Sequence, residues 1–441
     1  MKERFVEISS LIENKYHRNI EELSKVYNDK TVLYQYIKPL VTSNIEYSDI
    51  HDKKVLVKPN WVRHALLDTD DFCLCTNNNF ILVVLEVILE MYPREIVLGD
   101  APIQGADWCK IISEQFKKEL SIISDRFDVP IYLKDFRLVK FDPSSNKLQE
   151  GKINDEEYII FDVGTQSYLE SITSEKKTFR VTCYPPDKLS ETHSFGVHKY
   201  CVVKDVFDSD TIITLPKIKT HQKSGLTNSL KILVGVNGDK NYLPHHRIGS
   251  VEHGGDCYKG YSPFRSFSEY LLDIANKHRG KFKYKFFTIL SSLFWKISLP
   301  NQEQNLAAGW YGNDTVWRMV MDLNLIATYG KLDGSISKTA ERSLYTICDG
   351  IIGGQGNGPL SPEPLPLGII TISNDYFLMD EIVGYLLNLN IDKIPLLKEA
   401  KRLNICKKYN LRVNGQKKNI EDLKKYSINV KMPPGWINYD K

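Results

Sequence analysis

The chain has 441 residues, of which 42% are hydrophobic and 26% are charged. This composition is typical of a folded globular protein and excludes a largely disordered chain. The formal net charge is only +3, which argues against a nucleic-acid-binding protein, because such proteins usually carry a clear basic excess.

The eight cysteines are scattered along the chain, and the closest pair is Cys73 and Cys75. Scattered cysteines predict reduced thiols and a cytoplasmic protein. A spacing of one residue suits neither a zinc knuckle nor an iron–sulfur cluster, so the sequence predicts neither. The N-terminus has no apolar signal core, and no uninterrupted apolar stretch reaches the roughly 18 residues of a membrane span.

Residues 1–48 are mostly polar, with apolar residues at mixed helical spacing, and this pattern predicts a helical N-terminal extension. Residues 49–400 alternate short apolar runs with helical stretches. That alternation predicts an α/β domain with a mainly parallel, Rossmann-like sheet flanked by helices. The basic residues 401–441 are predicted to form a peripheral C-terminal tail.

Two short apolar runs, 54–58 and Glu95–Asp100, lie on either side of a helix-like stretch. The spacing predicts a parallel unit of strand, helix and strand. Lys58, Asn60 and Asp100 then lie at or just beyond the carboxyl ends of strands, where open α/β sheets bind ligands. The competing interpretation is a solvent-exposed lysine and a turn-forming aspartate.

Two segments interrupt the α/β pattern. Residues 130–182 contain short β-rich runs between polar turns and predict a β-rich insertion, whereas residues 264–310 predict a helical insertion. Within the second, a basic run meets an aromatic run at 281–295. This pairing is typical of helices that lie on a membrane surface, and also of helices that dock on a protein or lie in a core. The segment is predicted to be a helix whose aromatic side chains are buried against lipid or protein.

The stretch 211–255 is especially dense in chemically active side chains. A β-branched run, Thr211–Leu215, ends at a proline and predicts a buried strand that leads into a loop. Lys217, Lys219, His221 and Lys223 occupy alternate positions, so an extended backbone places the four basic side chains on one face. Further residues that are predicted to bind a ligand follow: Thr220, Ser229, Lys231, Lys240 and Arg247.

Two later motifs add candidates. Arg318 lies at the start of a predicted helix and is predicted to contact the ligand. Asp349 belongs to a strand-like run that gives way to a glycine-rich stretch, which can turn backbone amides toward an anion. The predicted contacts there are Gly356, Asn357 and Gly358. The glycine spacing is not that of a dinucleotide fingerprint.

Several motifs occur together, and in the same order, in a known family. They are Val57 to Asn60, Gly99 to Pro102, Leu215 to His221, Ser229 to Lys231 with Gly235, Gly312 to Thr315, Asp349-Gly350, and Gly356 to Pro359. The sequence resembles the bacterial and archaeal proteins called domain of unknown function 362 over about residues 54–400. This resemblance implies an α/β fold. Some members carry ferredoxin-like cysteine clusters, which this chain lacks, and others occur in polysaccharide-biosynthesis contexts. The resemblance implies no activity.

If the strand ends converge, the lysines and the glycine-rich stretch suit a phosphate or a carboxylate. A histidine among lysines is kept neutral by like-charge repulsion, and a neutral histidine can act as a general base. We therefore expect an enzyme of unknown reaction that acts on an anionic, phosphorylated or nucleotide-linked metabolite, with surface polysaccharide biosynthesis as the context that the resemblance implies. The expected catalytic residues are His221, Lys217 and Asp100. The cofactor is unknown, and the expected partner is an anionic small molecule rather than a nucleic acid.

The alternative hypothesis is a non-catalytic anion-binding or scaffold protein of a polysaccharide assembly system, located in the cytoplasm or at the membrane periphery and docking through 281–295. A third interpretation is a metal site formed by His245, His246, His253 and Asp256. Adjacent histidines point in different directions and their spacing matches no standard pattern, so no metal ligand is predicted.

Overall fold

The computed structural model describes residues 3–13, 16–142, 147–176, 178–182, 184–278, 282–298, 308–405 and 407–440. Lys281, the first residue of the basic and aromatic segment, lies outside these residues.

The strands run along the whole of the described chain. They are β1 (Phe5–Ser10), β2 (Lys54–Pro59), β3 (Glu95–Asp100), β4 (Ile131–Asp135), β5 (Val139–Asp142), β6 (Lys147–Glu150), β7 (Tyr158–Asp162), β8 (Phe179–Arg180), β9 (His193–Ser194), β10 (Val197–Val203), β11 (Thr211–Leu215), β12 (Lys217–His221), β13 (Gly225–Thr227), β14 (His246–Arg247), β15 (Ser343–Asn357), β16 (Ser361–Leu365), β17 (Ile369–Ser373), β18 (Asn410–Val413) and β19 (Gln416–Lys417).

The α-helices alternate with these strands. They are α1 (Ile20–Asn28), α2 (Lys30–Thr42), α3 (Asp70–Cys73), α4 (Asn78–Leu89), α5 (Trp108–Ile111), α6 (Glu114–Phe127), α7 (Asp187–Thr192), α8 (Asp205–Asp208), α9 (Pro263–Lys277), α10 (Phe282–Ile297), α11 (Val316–Tyr329), α12 (Tyr376–Leu386) and α13 (Pro395–Asn404).

One large sheet organises the molecule, in the order β19-β18-β1-β17-β15-β11-β2-β3-β4. The five strands from β15 to β4 are parallel, whereas β17 is antiparallel to both of its neighbours. The apolar residues of β2 and β11 are completely buried, as expected for parallel strands that are covered on both faces. The predicted α/β fold with a mostly parallel sheet flanked by helices is therefore confirmed.

Both ends of the chain join this sheet, which differs from the prediction of a helical extension and a peripheral tail. β1 pairs with β17 on one side and with β18 on the other. The segment 1–48 does contain α1 and α2, but its first element is a strand. In the segment 401–441, Trp436 is buried and its indole N–H donates to the carbonyl of Gln222. Such long-range pairing leaves little signal in local sequence.

The segment predicted as a β-rich insertion, 130–182, is mixed in character. β4 is the edge strand of the large sheet, whereas β5 and β6 form a separate hairpin and β7 pairs with β10. The segment predicted as helical, 264–310, contains α9 and α10, which pack against each other. Residues 143–146, 177, 279–281 and 299–307 lie outside the described residues, and the domain boundaries stay predictions.

Among the described residues, one stretch, Asp70–Leu89, is long and apolar enough to cross a membrane. It contains α3 and α4, and 67% of its most apolar window is buried inside the protein. That burial is typical of a core helix.

Candidate active site

A pocket of about 450 Å³ lies at the carboxyl ends of β2 and β3. β2 contributes Lys58, and Asn60 follows it directly; β3 contributes Asp100. The opposite wall is formed by His221, at the end of β12, and by the 3₁₀ turn Lys231–Val236. This is the edge at which ligands bind in open α/β sheets.

A larger cavity of about 670 Å³ lies at the opposite edge of the sheet. Its lining includes Thr211 and Ser343, the first residues of β11 and β15. Acidic and basic side chains balance there, because Asp49, Asp210, Glu341 and Asp375 accompany Arg4, Lys53, Arg342 and Lys407. The charges of the smaller pocket, by contrast, do not balance.

A buried ion pair forms the floor of the pocket. Lys58 Nζ lies 2.7 Å from a carboxylate oxygen of Asp100, and both side chains are almost fully buried. The same carboxylate accepts the backbone N–H groups of Trp61 at 2.6 Å and Ala101 at 2.8 Å. With its oxygens engaged in this way, Asp100 orients Lys58 and is not placed as a free catalytic base.

Gly235 covers this ion pair. A Cβ at that position would lie 1.9 Å from an Asp100 carboxylate oxygen and 2.5 Å from Lys58 Nζ. The Gly235 carbonyl also accepts the backbone N–H of Ala101 at 2.9 Å. The close approach of the 3₁₀ turn to the end of β3 therefore requires glycine.

Positive charge dominates the pocket. Four lysines line it, at positions 58, 223, 231 and 240, against the single carboxylate of Asp100. Lys240 Nζ donates to the carbonyl of Ala101 at 3.1 Å, but among the described residues none accepts a hydrogen bond from Lys231 Nζ. Burial and the neighbouring lysines lower the pKa of Lys231 to about 7, and burial lowers that of Lys240 to about 8. An anion in the pocket would relieve this unfavourable arrangement.

His221 lines the pocket in a fixed tautomer. Its Nδ1 accepts the backbone N–H groups of Lys223 at 3.0 Å and Ser224 at 3.2 Å. The proton of the neutral ring therefore lies on Nε2, since Nδ1 has no room for one. Burial, and then the nearby lysines and His245, keep the pKa of His221 well below its usual value, so the ring is neutral. This geometry corrects the predicted general-base role, because His221 offers the pocket a donor.

His245 also lines the pocket but has the opposite tautomer. Its Nδ1 lies 2.7 Å from the Leu243 carbonyl and so donates its proton there, which leaves the lone pair on Nε2. Burial and Lys223 lower the pKa of His245 to about 3. Asn313 Nδ2 donates to the His245 carbonyl at 2.9 Å and so positions the backbone of this residue.

Three buried polar atoms on the lining residues have no hydrogen-bond partner among the described residues. They are Asn60 Oδ1, Trp61 Nε1 and Thr227 Oγ1. Buried polar atoms are normally paired, so three such atoms around one pocket are typical of a ligand site. Between them the wall is apolar and aromatic, with Pro102, Ile103, Val181, Tyr184, Ile232, Val234, Leu243 and Leu360.

The structure places Lys217 outside the pocket. Its Nζ lies 2.6 Å from the Asp349 carboxylate and 2.9 Å from Tyr27 Oη, and the two charged side chains are completely buried. Lys219 is equally buried, and its Nζ donates to the Leu74 carbonyl. The predicted catalytic Lys217 and the predicted ligand contacts Lys219 and Asp349 are thus held by the protein itself, because β12 and this part of β15 lie side by side within the sheet and are completely buried.

The glycine-rich stretch does not form an amide-lined loop. It continues β15, and Gly354 and Gly356 are in register with Pro364 and Pro362 of β16. A Cβ on Gly354 would lie 2.8 Å from the Cβ of Lys219, so the glycine allows strands to pack closely. The prediction that these glycines face an anion is therefore wrong.

Three more residues that the sequence predicts to bind the ligand, Thr220, Asn357 and Gly358, form hydrogen bonds within the protein instead. Thr220 Oγ1 donates to the Gly356 carbonyl, the Gln222 side chain donates to Asn357, and the backbone N–H of Gln222 donates to the Gly358 carbonyl.

Three further candidates also lie outside the pocket lining. The Ser229 backbone N–H donates to Asp380. Arg247 donates to the Gly254 carbonyl, and Arg318 contacts Asp314. In each case a polar residue that looks available in the sequence stabilises a turn or helix end.

The pocket also contains residues that the predicted site lacks, namely Trp61, Thr227, Lys223 and His245. Lys223 and His245 belong to the dense stretch 211–255, so charge density is a signal that includes them. Trp61 and Thr227 are uncharged and carry no such signal, since a tryptophan after a strand and a threonine within one usually have packing roles.

The comparisons give a family but no activity. No curated protein matches the chain. A crystal structure of a protein from Thermotoga maritima is 12% identical, with a TM-score of 0.36 over 85% of this chain and 58% of that chain. The present chain thus spans somewhat more than half the length of that protein. Residues 164–383 match a family model, a shorter segment than the resemblance over 54–400 predicted. Through this segment, which includes β11, β12 and the two pocket histidines, the chain belongs to the family described as Domain of unknown function (DUF362).

Proposed function

We propose that the pocket binds an anionic metabolite that carries a phosphate or carboxylate group. The observation that carries this proposal is the charge imbalance around Lys231, where four lysines face one carboxylate and Lys231 has no acceptor among the described residues. Hydrogen bonds to a charged group contribute about 1.5–3 kcal/mol each, so an anion that contacts two or three of these lysines gains substantial affinity.

The apolar wall limits what else the ligand contains. Trp61 and Tyr184 are aromatic, and Ile232 and Leu243 are aliphatic. A pocket of this kind suits a molecule with an anionic end and a ring or an aliphatic part, as in a nucleotide-linked or otherwise phosphorylated metabolite. Inorganic phosphate alone would contact only the basic part.

We further propose that the protein is an enzyme in which the two histidines act as a pair. His221 would donate a hydrogen bond from Nε2 to an oxygen of the substrate, and His245 would accept a proton at Nε2. A pKa of about 3 makes His245 a weak base in the ligand-free protein. Bound anionic charge offsets the lysines that lower this pKa, so substrate binding itself would strengthen the base.

The sheet topology supports the same location. β2 lies between β11 and β3, and the chain proceeds from β2 through α4 to β3 on one side but reaches β11 much later on the other. We propose that this parallel half is Rossmann-like, with β2 at the topological switch point. The polysaccharide context stays a prediction of the resemblance, as does the rival hypothesis of a non-catalytic scaffold.

The test is a thermal-shift screen over sulfate, pyrophosphate, nucleotides and sugar phosphates. The expected result is a salt-sensitive increase in melting temperature with anions that also carry a ring, larger than with sulfate. Lys231→Met should remove the increase, whereas Lys331→Met, at an exposed position, should keep it. If no anion stabilises the wild type, or if Lys231→Met responds as the wild type does, the anion site is wrong.

The exposed face of α10 supports a position of the protein at the periphery of a membrane. Apolar side chains of α10 recur at intervals of three or four residues and are exposed: Phe282 (85%), Phe286, Ile289 (70%), Leu293 and Ile297. The opposite face packs on α9 and buries Trp295. A core helix would bury this stripe, so the exposure supports docking of the described part of 281–295 on a partner surface over a position in the core.

We propose that this face of α10 lies on an anionic lipid surface. The helix carries Lys283, Lys285 and Lys296, all exposed, and no acidic residue. Lysines that flank an exposed apolar stripe match the charge of lipid head groups and the apolar layer beneath them.

Co-sedimentation with vesicles distinguishes a lipid partner from a protein partner. Vesicles that contain phosphatidylglycerol should bind the wild type at low salt, and Ile289→Ser should weaken that binding by about tenfold, since burial of a large apolar side chain contributes about 1.5–3 kcal/mol. Ile405→Ser removes an equally exposed isoleucine from another surface and should bind as the wild type does. Absence of binding at low salt would exclude lipid and leave a protein partner.

A further inference from the structure

Behind the pocket, three potential metal ligands from three separate segments meet. His246 belongs to β14, Cys257 lies in the loop that follows, and Glu269 belongs to α9. One ligand atom of each lies within 4.8 Å of the other two, and all three residues are buried. His246 follows His245 directly, so the cluster adjoins the pocket wall.

The imidazole of His246 is the observation that points to a ligand. The residue is 5% exposed, and its Nδ1 is buried without a hydrogen-bond partner among the described residues. A buried histidine usually pairs its ring nitrogens, because an unpaired polar atom in the interior costs about 1–3 kcal/mol. A metal ion bound by this cluster would use one of the ring nitrogens.

The backbone around the cluster is already organised. Both carboxylate oxygens of Glu269 accept the backbone N–H of Gly249, at 3.1 and 3.2 Å. The Gly249 carbonyl accepts the backbone N–H of Cys257 at 3.0 Å. Gly249 has a φ of +90°, which favours glycine, and it fixes two of the three ligands. Hydrogen bonds of this kind orient ligands in metal sites.

We propose that His246, Cys257 and Glu269 form a zinc site. One nitrogen, one sulfur and one oxygen donor suit Zn²⁺, a borderline-soft ion that accepts all three. Tetrahedral zinc separates its ligand atoms by about 3.5 Å, so side-chain shifts of about 1 Å close the present arrangement. The fourth position would be taken by water.

The site would connect the pocket wall to α9. His246 holds one side of this connection and Glu269 the other, and α9 carries α10 with its exposed apolar face. Zinc would therefore stabilise the position of the helical pair relative to β14. This inference does not depend on the ligand of the pocket or on the membrane proposal.

The test uses the full chain, reduced, treated with a chelator and then titrated with Zn²⁺ and with Co²⁺. The wild type should bind about one ion per chain, and Co²⁺ should give the thiolate charge-transfer absorption and the visible bands of a tetrahedral site. Zn²⁺ should also raise the melting temperature, because it binds the folded state.

Variants assign the ligands. Cys257→Ser should remove the charge-transfer absorption, and Glu269→Gln should weaken Zn²⁺ binding by about tenfold or more. Cys109→Ser removes an exposed thiol and should behave as the wild type does. His246→Gln should weaken binding as well; if it fails to fold, the other two variants decide. The zinc site is wrong if the reduced wild type binds no ion, or if Cys257→Ser keeps the charge-transfer absorption while Cys109→Ser loses it.

Discussion

Two groups of lysines lie close to each other in this protein, and they differ in one respect. Lys217 has a carboxylate partner, Asp349, at 2.6 Å, and Tyr27 and the Ile352 carbonyl accept its other hydrogen bonds. Desolvation, and then four nearby lysines, lower the pKa of Lys231, and no described residue accepts its hydrogen bond. The hydrogen bonds of Lys217 are therefore satisfied without a ligand, whereas those of Lys231 are not satisfied by any described residue.

This difference distinguishes a structural charge, which is paired within the protein, from a functional charge, which is left for a ligand. A buried ion pair satisfies itself, and its loss affects folding. An unpaired cation in a pocket lowers stability and is retained where something outside the protein pairs with it.

Lys217→Met should have the largest effect on stability. It leaves the buried Asp349 carboxylate without its cation, so we expect a loss of about 3–5 kcal/mol in the free energy of unfolding. Urea denaturation measures this loss, and Lys331→Met at an exposed position is the control. A loss below about 1 kcal/mol would mean that the ion pair of Lys217 and Asp349 does not stabilise the fold, and Lys217 would then have no structural role.

Gly235→Ala should be the next most severe change. The added methyl group would lie 1.9 Å from the Asp100 carboxylate, so the 3₁₀ turn has to move, at a cost of about 1–3 kcal/mol or more. Gly105→Ala is a matched control, because Gly105 also lines the pocket and a Cβ there meets nothing within 4 Å. Thermal unfolding of the two variants should differ clearly, and equal melting temperatures would contradict the close contact.

Lys231→Met should affect ligands rather than stability. We expect it to weaken sulfate binding by about tenfold to a hundredfold, as loss of one charged hydrogen bond predicts. The free energy of unfolding should not fall, since the variant removes an unpaired charge. If Lys231→Met instead loses as much stability as Lys217→Met and binds sulfate normally, Lys231 has a structural role and does not bind the anion.

The pH dependence of sulfate binding is a smaller effect with a definite sign. The lysines with a pKa of about 7 and 8 lose their protons as pH rises through that window, whereas sulfate, whose charge is constant there, binds the ammonium form. Affinity should therefore fall between about pH 6.5 and 8.5, by at most about tenfold per pH unit for each lysine. Lys231→Met should show a flatter profile.

The same linkage governs the ligand-free protein. Above the lowered pKa values the native state has lost protons that the unfolded state keeps up to its usual lysine pKa of 10.5. Because the unfolded state then binds more protons, these two lysines make stability rise with pH over that range and lower it most below about pH 7.

Part of the fold and part of the pocket could be predicted from the sequence. The β-branched run Thr211–Leu215 and the run at β2 indicated buried parallel strands, and Lys58 and Asp100 follow from their positions at strand ends. The density of basic residues in 211–255 indicated the correct side of the pocket. Local pattern is informative here because each strand signal lies within one element and the basic residues lie within one continuous stretch of sequence.

The rest depends on long-range contacts. Nothing near Lys217 in the sequence shows that Asp349 lies beside it, and nothing near β1 shows that β17 and β18 pair with it. The tautomer of His221 is set by two backbone N–H groups of a turn, which composition does not reveal. Partners of this kind decide whether a charged residue is structural or available.

Proton uptake on anion binding tests directly whether Lys231 and Lys240 form the anion site. The wild type is titrated with sulfate at about pH 7.5 in buffers of different ionisation enthalpy, and the binding heat is compared. If sulfate pairs with Lys231 and Lys240, the protein should take up a measurable amount, up to about one proton per sulfate, and Lys231→Met should take up less. Binding without proton uptake, or equal uptake in the wild type and in Lys231→Met, would contradict the claim that these lysines form the anion site.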